Sequence, residues 1–294
     1  MITVVEIIKS IIFGIVEGIT EWLPVSSTGH LIILDELLKL NVGSGDFNEH
    51  FIEMFNVVIQ LGAILAVLVA FFHKLNPFSH KKTTAQKKST WSMWLKVLVA
   101  SVPAAIVGLF VDKLLEESTG KDIDGWLYNS IVVAAALIVY GVLFIVIERQ
   151  NKNKTPKMNE IDDVSYKTAF IIGVFQMLAI IPGTSRSGST ILGSMLMGVS
   201  RTVAAEFSFF MAIPAMAGAS LLKLLGFFQF VTESSAVIPL NAWLVLSYGL
   251  ITAFAVSMVA IKFLMSFVKK HSFKFFGWYR IALGAAVLIY FVIR

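Results

Sequence analysis

The sequence contains no cysteine and little charge. The absence of cysteine excludes disulfides, thiolate metal sites and cysteine nucleophiles. Charged residues make up only 15% of the 294 residues, 57% are hydrophobic, and the mean hydropathy is +0.81. A soluble domain of this size could not bury so much apolar surface, whereas a lipid bilayer accepts it. The composition therefore predicts an integral membrane protein.

The net charge of +5 does not indicate a nucleic-acid partner. The lysines lie in loops between apolar segments, where an excess of positive charge on the cytoplasmic side is the ordinary determinant of topology. The start of the chain shows no charged stretch followed by a short apolar run and a small-residue cleavage site. We therefore expect no removable signal peptide.

Eight apolar segments are separated by polar loops. Basic residues concentrate in the loops at 73–91 and 149–167 and in the tail of the seventh segment, which carries Lys269, Lys270 and Lys274. The positive-inside rule places these three regions in the cytoplasm. The segments are 2–34, 53–72, 92–111, 126–147, 168–199, 205–231, 241–267 and 277–293.

The first and fifth segments are interrupted by proline, glycine and serine. If the fifth segment crossed the membrane completely, the basic tail of the seventh would lie outside. We therefore predict that 2–34 and 168–199 are re-entrant hairpins. The fold expected is an all-α polytopic membrane protein of two inverted repeats, 1–150 and 151–294. Each repeat has one re-entrant helix hairpin plus three transmembrane helices, which gives six full spans and external chain ends.

The two interrupted segments carry the same short sequence motif. GIVEGITEWLPVSSTGH aligns with GVFQMLAIIPGTSRSGS at a spacing of 159 residues, which places Gly14 on Gly173 and Ser26 on Ser185. Polar groups at membrane depth are costly. Two matching polar interruptions therefore favour one shared site.

The first interruption combines acids with hydroxyls. Glu17 and Glu21 are spaced i, i+4, so a helix would project both carboxylates from one face, where their repulsion favours a shared cation or proton. After Pro24, the run Ser26–Thr28 is suited to capping a new helix. His30 then falls in the first turn, close to where an anion would bind the helix N-terminus.

The second interruption repeats this design with one change. Thr184 and Ser185 can cap the helix that follows Pro182 and Gly183, and Arg186 stands where the first copy has Ser27. A guanidinium matches phosphate oxygens and is costly to bury without an anion. The pair of interruptions therefore predicts a site for phosphate together with a divalent cation. Non-functional alternatives exist for these residues. The serines could only cap helices, His30 could only bond a backbone carbonyl, Glu17 and Glu21 could lie in the membrane interface, and Arg186 could reach the cytoplasmic surface.

Three stretches carry a resemblance to a known family. VEGITEWLPVSSTGH at 16–30 and PGTSRSGST at 182–190 resemble the signature motifs of the bacterial undecaprenyl-diphosphatase family, also called bacitracin-resistance proteins, and EFSFFMAIP at 206–214 fits as well. The resemblance implies hydrolysis of undecaprenyl diphosphate to the monophosphate carrier lipid of peptidoglycan synthesis. It also implies a divalent cation, Mg²⁺ or Ca²⁺, and a multi-pass protein of the bacterial cytoplasmic membrane whose active site faces outside.

The resemblance also assigns roles to residues. It implies that Glu17 and Glu21 hold the metal, that Ser27 and His30 serve the chemistry, and that Arg186 binds phosphate. The nucleophile stays open between Ser27 assisted by His30, His30 itself, and water. The remaining phosphate-binding residues are expected to be Ser26, Thr28, Gly29, Thr184, Ser185, Ser187 and Gly188.

Two rival functions fit the same pattern. Inverted repeats with broken helices are also the usual construction of secondary transporters, so a lipid-phosphate transporter or flippase could use this site. A lipid-phosphate binding protein without turnover is the other rival. The sequence leaves the oligomeric state open, a homodimer included.

Overall fold

The computed structural model of the protein describes residues 2–43, 45–120, 127 and 129–293. Regular structure in these residues is helical, apart from an isolated bridge between Met158 and Val199. Short helical turns also occur: an α-helical turn at Phe72–Leu75, a π-helical turn at Val107–Val111, and 3-10 turns at Ile161–Asp163 and Leu178–Ile180. The main helices are α1 Ile2–Thr20, α2 Ser27–Leu38, α3 Asp46–Ala70, α4 Thr84–Ile106, α5 Asp112–Thr119, α6 Ser130–Gln150, α7 Tyr166–Met177, α8 Arg186–Leu196, α9 Arg201–Ser234, α10 Leu240–Lys270 and α11 Lys274–Ile293.

Five of the described helices are long and apolar enough to cross a membrane. They are α3, α4, α6, α9 and α10. The protein is therefore an all-α polytopic membrane protein, as the composition predicts. The segment predicted at 277–293 forms α11, a helix of 20 residues. The total of six spans stays a prediction.

The helices begin earlier than the apolar segments because their first turns are polar. The segment predicted at 92–111 belongs to α4, which begins at Thr84 behind a capping box formed by Thr83 and Gln86. In the same way, the segment predicted at 53–72 belongs to α3, whose first turn carries acidic residues that suit the positive end of the helix dipole. The start of the segment predicted at 126–147 lies partly outside the described residues.

The chain forms two compact units, each with residues from both halves of the sequence. The first unit comprises Met1–Trp22, His30–Ala70 and Ala212–Lys262. Its core is an apolar cluster in which Phe13, Phe55 and Ile59 are fully buried. Aromatic rings of α3 and α9 extend this cluster, with the Phe51 and Phe227 centroids 6.1 Å apart.

Helix α1 packs closely along α10 in the first unit. A Cβ atom at Gly14 would lie 2.5 Å from the Gly249 carbonyl oxygen, and one at Gly18 would lie 2.9 Å from that of Ala253. These contacts advance together along both helices, so α1 and α10 run parallel. Glycine allows this backbone approach, which any side chain would block.

The second unit comprises Leu23–Gly29, Phe71–Met211 and Phe263–Arg294. Here α7 packs along α4 in the same manner, since a Cβ atom at Gly173 would overlap the Ala100 backbone. The Tyr166 and Ser92 hydroxyls, about two turns earlier on each helix, lie 3.2 Å apart, so these helices are parallel too.

Helices α6 and α11 pack against each other in the second unit as an antiparallel pair. Gly141 and Gly277 face each other, and a Cβ atom on either would lie 2.7 Å from the carbonyl oxygen of the other. Gly284 approaches Ala134 seven residues further along each helix in opposite directions. Arg280 lies on α11 between Gly277 and Gly284, where this helix packs tightly against α6.

Both interrupted segments are broken where the sequence predicts. The first segment divides into α1, which ends at Thr20, and α2, which begins at Ser27. The second divides into α7, which ends at Met177, and α8, which begins at Arg186. The helix breaks are thus confirmed, while re-entry from the membrane surface, the inversion of the halves and the division at residue 150 stay predictions.

Candidate functional site

Ser26 and Ser185 occupy aligned positions and share a backbone conformation that is rare for serine. Their φ angles are 75° and 70°, in the left-handed region. Each precedes a helix and accepts a hydrogen bond from an N–H three residues later, Gly29 N at 3.3 Å and Gly188 N at 3.1 Å. The repeated text therefore folds into two equivalent capped N-termini. A non-glycine residue in this region costs about 1–3 kcal/mol, so the surroundings must hold it there.

The second unit brings the two interruptions into contact. The Ser187 hydroxyl donates to the Leu23 carbonyl oxygen at 3.5 Å, and Arg280 donates to carbonyl oxygens of both interruptions. Residues Leu23–Gly29 are included in this unit with α7 and α8 although Glu21 and His30, on either side, belong to the first. Ser27 of α2 and Arg186 of α8 thus start helices whose preceding loops adjoin.

Arg280 is a functional candidate that the sequence reasoning missed. Its side chain is fully buried, and its guanidinium lies over the Tyr140 ring, 5.4 Å from the centroid. The sequence did carry a signal, since an ionisable residue inside an apolar segment such as 277–293 is by default a candidate functional residue. Its partner Pro24 lies 256 positions away, a pairing that no local pattern reveals.

Arg186 begins α8 and is half-buried. Its Nη1 atom donates to the Ser208 carbonyl oxygen of α9 at 2.8 Å. The hydroxyls of Thr190 and Ser208 lie 2.7 Å apart beside this bond. The stretch at 206–214 therefore supports α8 directly, which gives its polar serine a role among apolar neighbours.

Two buried polar side chains near the second interruption make no hydrogen bond within the described part of the chain. They are Thr184, whose hydroxyl is fully buried, and Gln176, which aligns with Glu17. Buried polar atoms are usually satisfied, so each exception requires an explanation. The Thr184 hydroxyl can both donate and accept a hydrogen bond, and it lies one residue before a helix cap. It is therefore suited to a polar ligand.

The acidic pair lies at the end of α1 in the first unit. Glu17 is 0% exposed and Glu21 is 7% exposed. The Glu21 N–H donates to the Glu17 carbonyl oxygen at 3.0 Å, so the helical turn continues and both side chains leave one face. The Thr20 hydroxyl donates back to the Val16 carbonyl oxygen at 2.7 Å. Burying carboxylates is costly unless cations or hydrogen bonds compensate.

The donor chemistry of this pair fits a hard divalent cation. Mg²⁺ and Ca²⁺ prefer oxygen ligands, and Mg²⁺ in particular is held by one or two carboxylates with waters and substrate phosphates. The part of the chain that the structure describes contains no group of three acidic, histidine or cysteine side chains that could hold a metal. Glu17 and Glu21 would therefore supply only part of the coordination, which leaves positions for phosphate oxygens.

These features define a class of protein: a polytopic helical membrane protein whose capped helix N-termini and buried arginine suit an anionic ligand and whose buried acids suit a cation. The sequence model of the family described as bacitracin resistance protein BacA matches residues 10–286. The chain belongs to this family.

Curated relatives match the chain over nearly its whole length. The undecaprenyl-diphosphatase of Enterococcus faecalis is 54% identical over 284 residues, which cover 97% of both chains. That of Limosilactobacillus fermentum is 52% identical over 288 residues, which cover 98% of both. The undecaprenyl-diphosphatase 1 of Clostridioides difficile is 54% identical over 293 residues, 98% of this chain and 97% of the relative.

Proposed function

We propose that this chain is a membrane phosphatase that hydrolyses undecaprenyl diphosphate to undecaprenyl phosphate and inorganic phosphate. The near full-length identity to undecaprenyl-diphosphatases supports the activity. The observation that carries the proposal in the structure is the adjoining pair of capped helix N-termini with Arg186 at the start of one of them. The product is the carrier lipid of peptidoglycan synthesis, and its recycling accounts for bacitracin resistance.

The phosphate end of the substrate meets positive potential. The N-termini of α2 and α8 each carry the positive end of a helix dipole, and Arg186 adds a permanent charge. Phosphoryl transfer needs such groups around the equatorial and leaving oxygens, because the protein contributes mainly positioning and electrostatic stabilisation. Ser26, Thr28, Gly29, Thr184, Ser185, Ser187 and Gly188 surround the phosphate oxygens in this proposal.

The hydroxyl of Ser27 is the proposed nucleophile. It attacks the terminal phosphorus while His30, three residues on, accepts its proton, and the bond from that phosphorus to the bridging oxygen breaks. Undecaprenyl phosphate leaves with the bridging oxygen. Water then attacks the phosphorus on Ser27, and the bond from that phosphorus to the serine oxygen breaks. His30 returns its proton to the serine oxygen, and both protons of the water leave with inorganic phosphate. Attack by His30 or by water would use the same surrounding groups.

Glu17 and Glu21 hold the divalent cation in this proposal, because their buried carboxylates fit an oxygen-preferring ion. When bound, Mg²⁺ or Ca²⁺ supplies charge neutralisation for the diphosphate. The two carboxylates would determine the position of the cation. Their burial strengthens the attraction between the carboxylates and a cation.

We also propose that the two halves of the chain are inverted repeats with six spans and an active site facing outside the cytoplasmic membrane. Reciprocal contacts support the repeat. Helix α1 of the first half packs parallel to α10 of the second, and α7 of the second packs parallel to α4 of the first. The Glu53–Lys223 ion pair of 3.3 Å in one unit likewise corresponds to the Glu206–Lys74 pair in the other.

Phosphate release by purified protein in detergent tests the activity. The protein should release inorganic phosphate from undecaprenyl diphosphate, and a chelator should abolish release until Mg²⁺ or Ca²⁺ is restored. A transporter or a binding protein would release none, since detergent leaves no second compartment. Release that persists in chelator would remove the cation from the proposal while leaving the phosphatase intact.

A further inference from the structure

Among the residues that the structure describes, the partners of Arg280 are neutral groups. Its Nη1 donates to the Pro24 carbonyl oxygen at 3.2 Å, and its Nη2 donates to those of Gly183 at 2.7 Å and Thr184 at 2.8 Å. Within the described residues no carboxylate pairs with it. Its Nε has no hydrogen-bond partner there either. Burying a guanidinium with only carbonyl and aromatic partners costs free energy. An apolar side chain at the same position would avoid that cost.

The partners of Arg280 are equivalent in the two copies of the repeated text. Pro24 and Gly183 align with each other at the spacing that aligns Ser26 with Ser185. One guanidinium therefore binds the same carbonyl in both interruptions, two residues before each left-handed serine. The planar fork of arginine can do this at once, whereas a lysine ammonium is a single point.

Binding these carbonyls also orients the donors of the helix caps. A trans peptide unit is rigid, so its C=O and N–H groups point in opposite directions. When the Thr184 carbonyl points at Arg280, the Ser185 N–H points away from it. Holding the preceding peptides in this way supplies the constraint that the unfavourable φ angles of Ser26 and Ser185 require.

We infer that Arg280 is a positioning residue for the reaction, which fixes the two capped helix N-termini at the separation and orientation that bind the diphosphate. The inference rests on the proposed function. It extends that function to a residue outside both motifs, which acts on substrate only through the caps. Its positive charge lies directly behind them and adds to the potential at the phosphate.

The test is Arg280→Lys in the full-length protein, with kcat and KM for undecaprenyl diphosphate measured in detergent with Mg²⁺. Lysine retains the charge but cannot bind both interruptions, so we expect kcat to fall about 100-fold, the effect of a misplacement of order 1 Å, with a smaller change in KM. In Arg280→Ala, added guanidinium should restore part of the activity. A kcat for Arg280→Lys near the wild-type value would overturn the inference.

Arg201→Lys is the matched control. Arg201 lies in the same unit and donates from Nε and Nη2 to the buried Glu148 carboxylate, which is not a partner of Arg280. The substitution disturbs an equivalent two-point interaction. It should lower the thermal midpoint and leave kcat of the folded protein unchanged. An equal loss of kcat in both variants would show that general destabilisation explains the effect and would overturn the inference.

Tyr140 provides a second variant that leaves Arg280 in place, should the arginine variants fail to fold. Tyr140→Leu removes the ring beneath the guanidinium and should lower kcat about tenfold, whereas Tyr140→Phe retains the ring, loses only the hydrogen bond that the Ser189 hydroxyl donates at 3.2 Å, and should lower kcat less. Equal activity in these two variants would contradict the inference. Absence of phosphate release by wild-type protein would instead contradict the proposed function.

Discussion

At the scale of single residues, the motif side chains divide into charged groups and caps. Glu21 is nearly buried, Arg186 is bonded to α9, and Ser27 begins α2. Each is proposed to stabilise the charge that develops during phosphoryl transfer. Its loss should therefore raise the free energy of the transition state more than that of the bound substrate.

Glu21→Gln, Ser27→Ala and Arg186→Ala should each lose nearly all phosphate release while remaining folded. The first weakens the proposed binding of the cation, the second removes the proposed nucleophile, and the third removes the positive charge that is proposed to bind the phosphate. Release by purified variants, with elution volume and thermal midpoint as folding checks, measures this. Arg149→Ala, at an exposed arginine in the last turn of α6, is the control and should retain full activity. Full release by Arg186→Ala would remove its phosphate-binding role.

The Glu148–Arg201 pair predicts an asymmetric effect on stability. Glu148 is 1% exposed and also accepts the Phe273 N–H at 2.8 Å, while the Arg201 side chain is 39% exposed. Without the arginine, the Phe273 N–H is the one donor to the buried carboxylate among the described residues. Arg201→Ala should therefore lower the free energy of unfolding by about 2–3 kcal/mol. Glu148→Gln should cost about 1 kcal/mol, because Arg201 can turn to water. Thermal midpoints in detergent compare them, and the reverse order would contradict this account.

At the scale of elements, glycine determines how closely the helices approach. Gly173 on α7 lies against the Ala100 backbone. A Cβ atom at Gly218 on α9 would have no described atom within 4 Å outside its own helix turn. Both are helical glycines, so substitution by alanine gains the same helix propensity at each. Only the packing differs between them.

Gly173→Ala should therefore destabilise the protein by about 1–3 kcal/mol, the cost of overpacking against backbone that cannot yield. Gly218→Ala should stabilise it by about 0.5–1 kcal/mol through helix propensity. Thermal midpoints of the two variants in the same detergent give the comparison. A harmless Gly173→Ala would mean that α7 and α4 do not pack as described.

The helix breaks and the starts of α2 and α8 could be predicted from the sequence, but the starts of α3 and α4 could not. Proline and glycine in repeated text located the interruptions before α2 and α8 because they act locally. Hydropathy placed the start of α4 eight residues late because the turn from Thr84 is polar and its capping box contributes no apolar signal. The role of Arg280 depends on contacts between distant segments, which local patterns do not encode.

At the scale of the whole molecule, loop charge and parity predict that both chain ends lie outside the cytoplasm. Reporter fusions to each terminus test this. An alkaline phosphatase fused to either end should be active in cells, and a fluorescent protein that folds only in the cytoplasm should be dark. A control fusion within the basic loop at 73–91 should show the opposite pattern. One cytoplasmic terminus would contradict the six-span inverted repeat.

The central claim is that two interruptions, one from each half of the chain, form a single catalytic site. A double-mutant cycle on kcat/KM with Ser27→Thr and Arg186→Lys tests it most directly, because mild substitutions leave measurable activity. The account predicts that the double variant is less impaired than the product of the single effects, with a coupling of about 1 kcal/mol or more. Single effects that multiply to within about 0.5 kcal/mol would show two independent sites and contradict the claim.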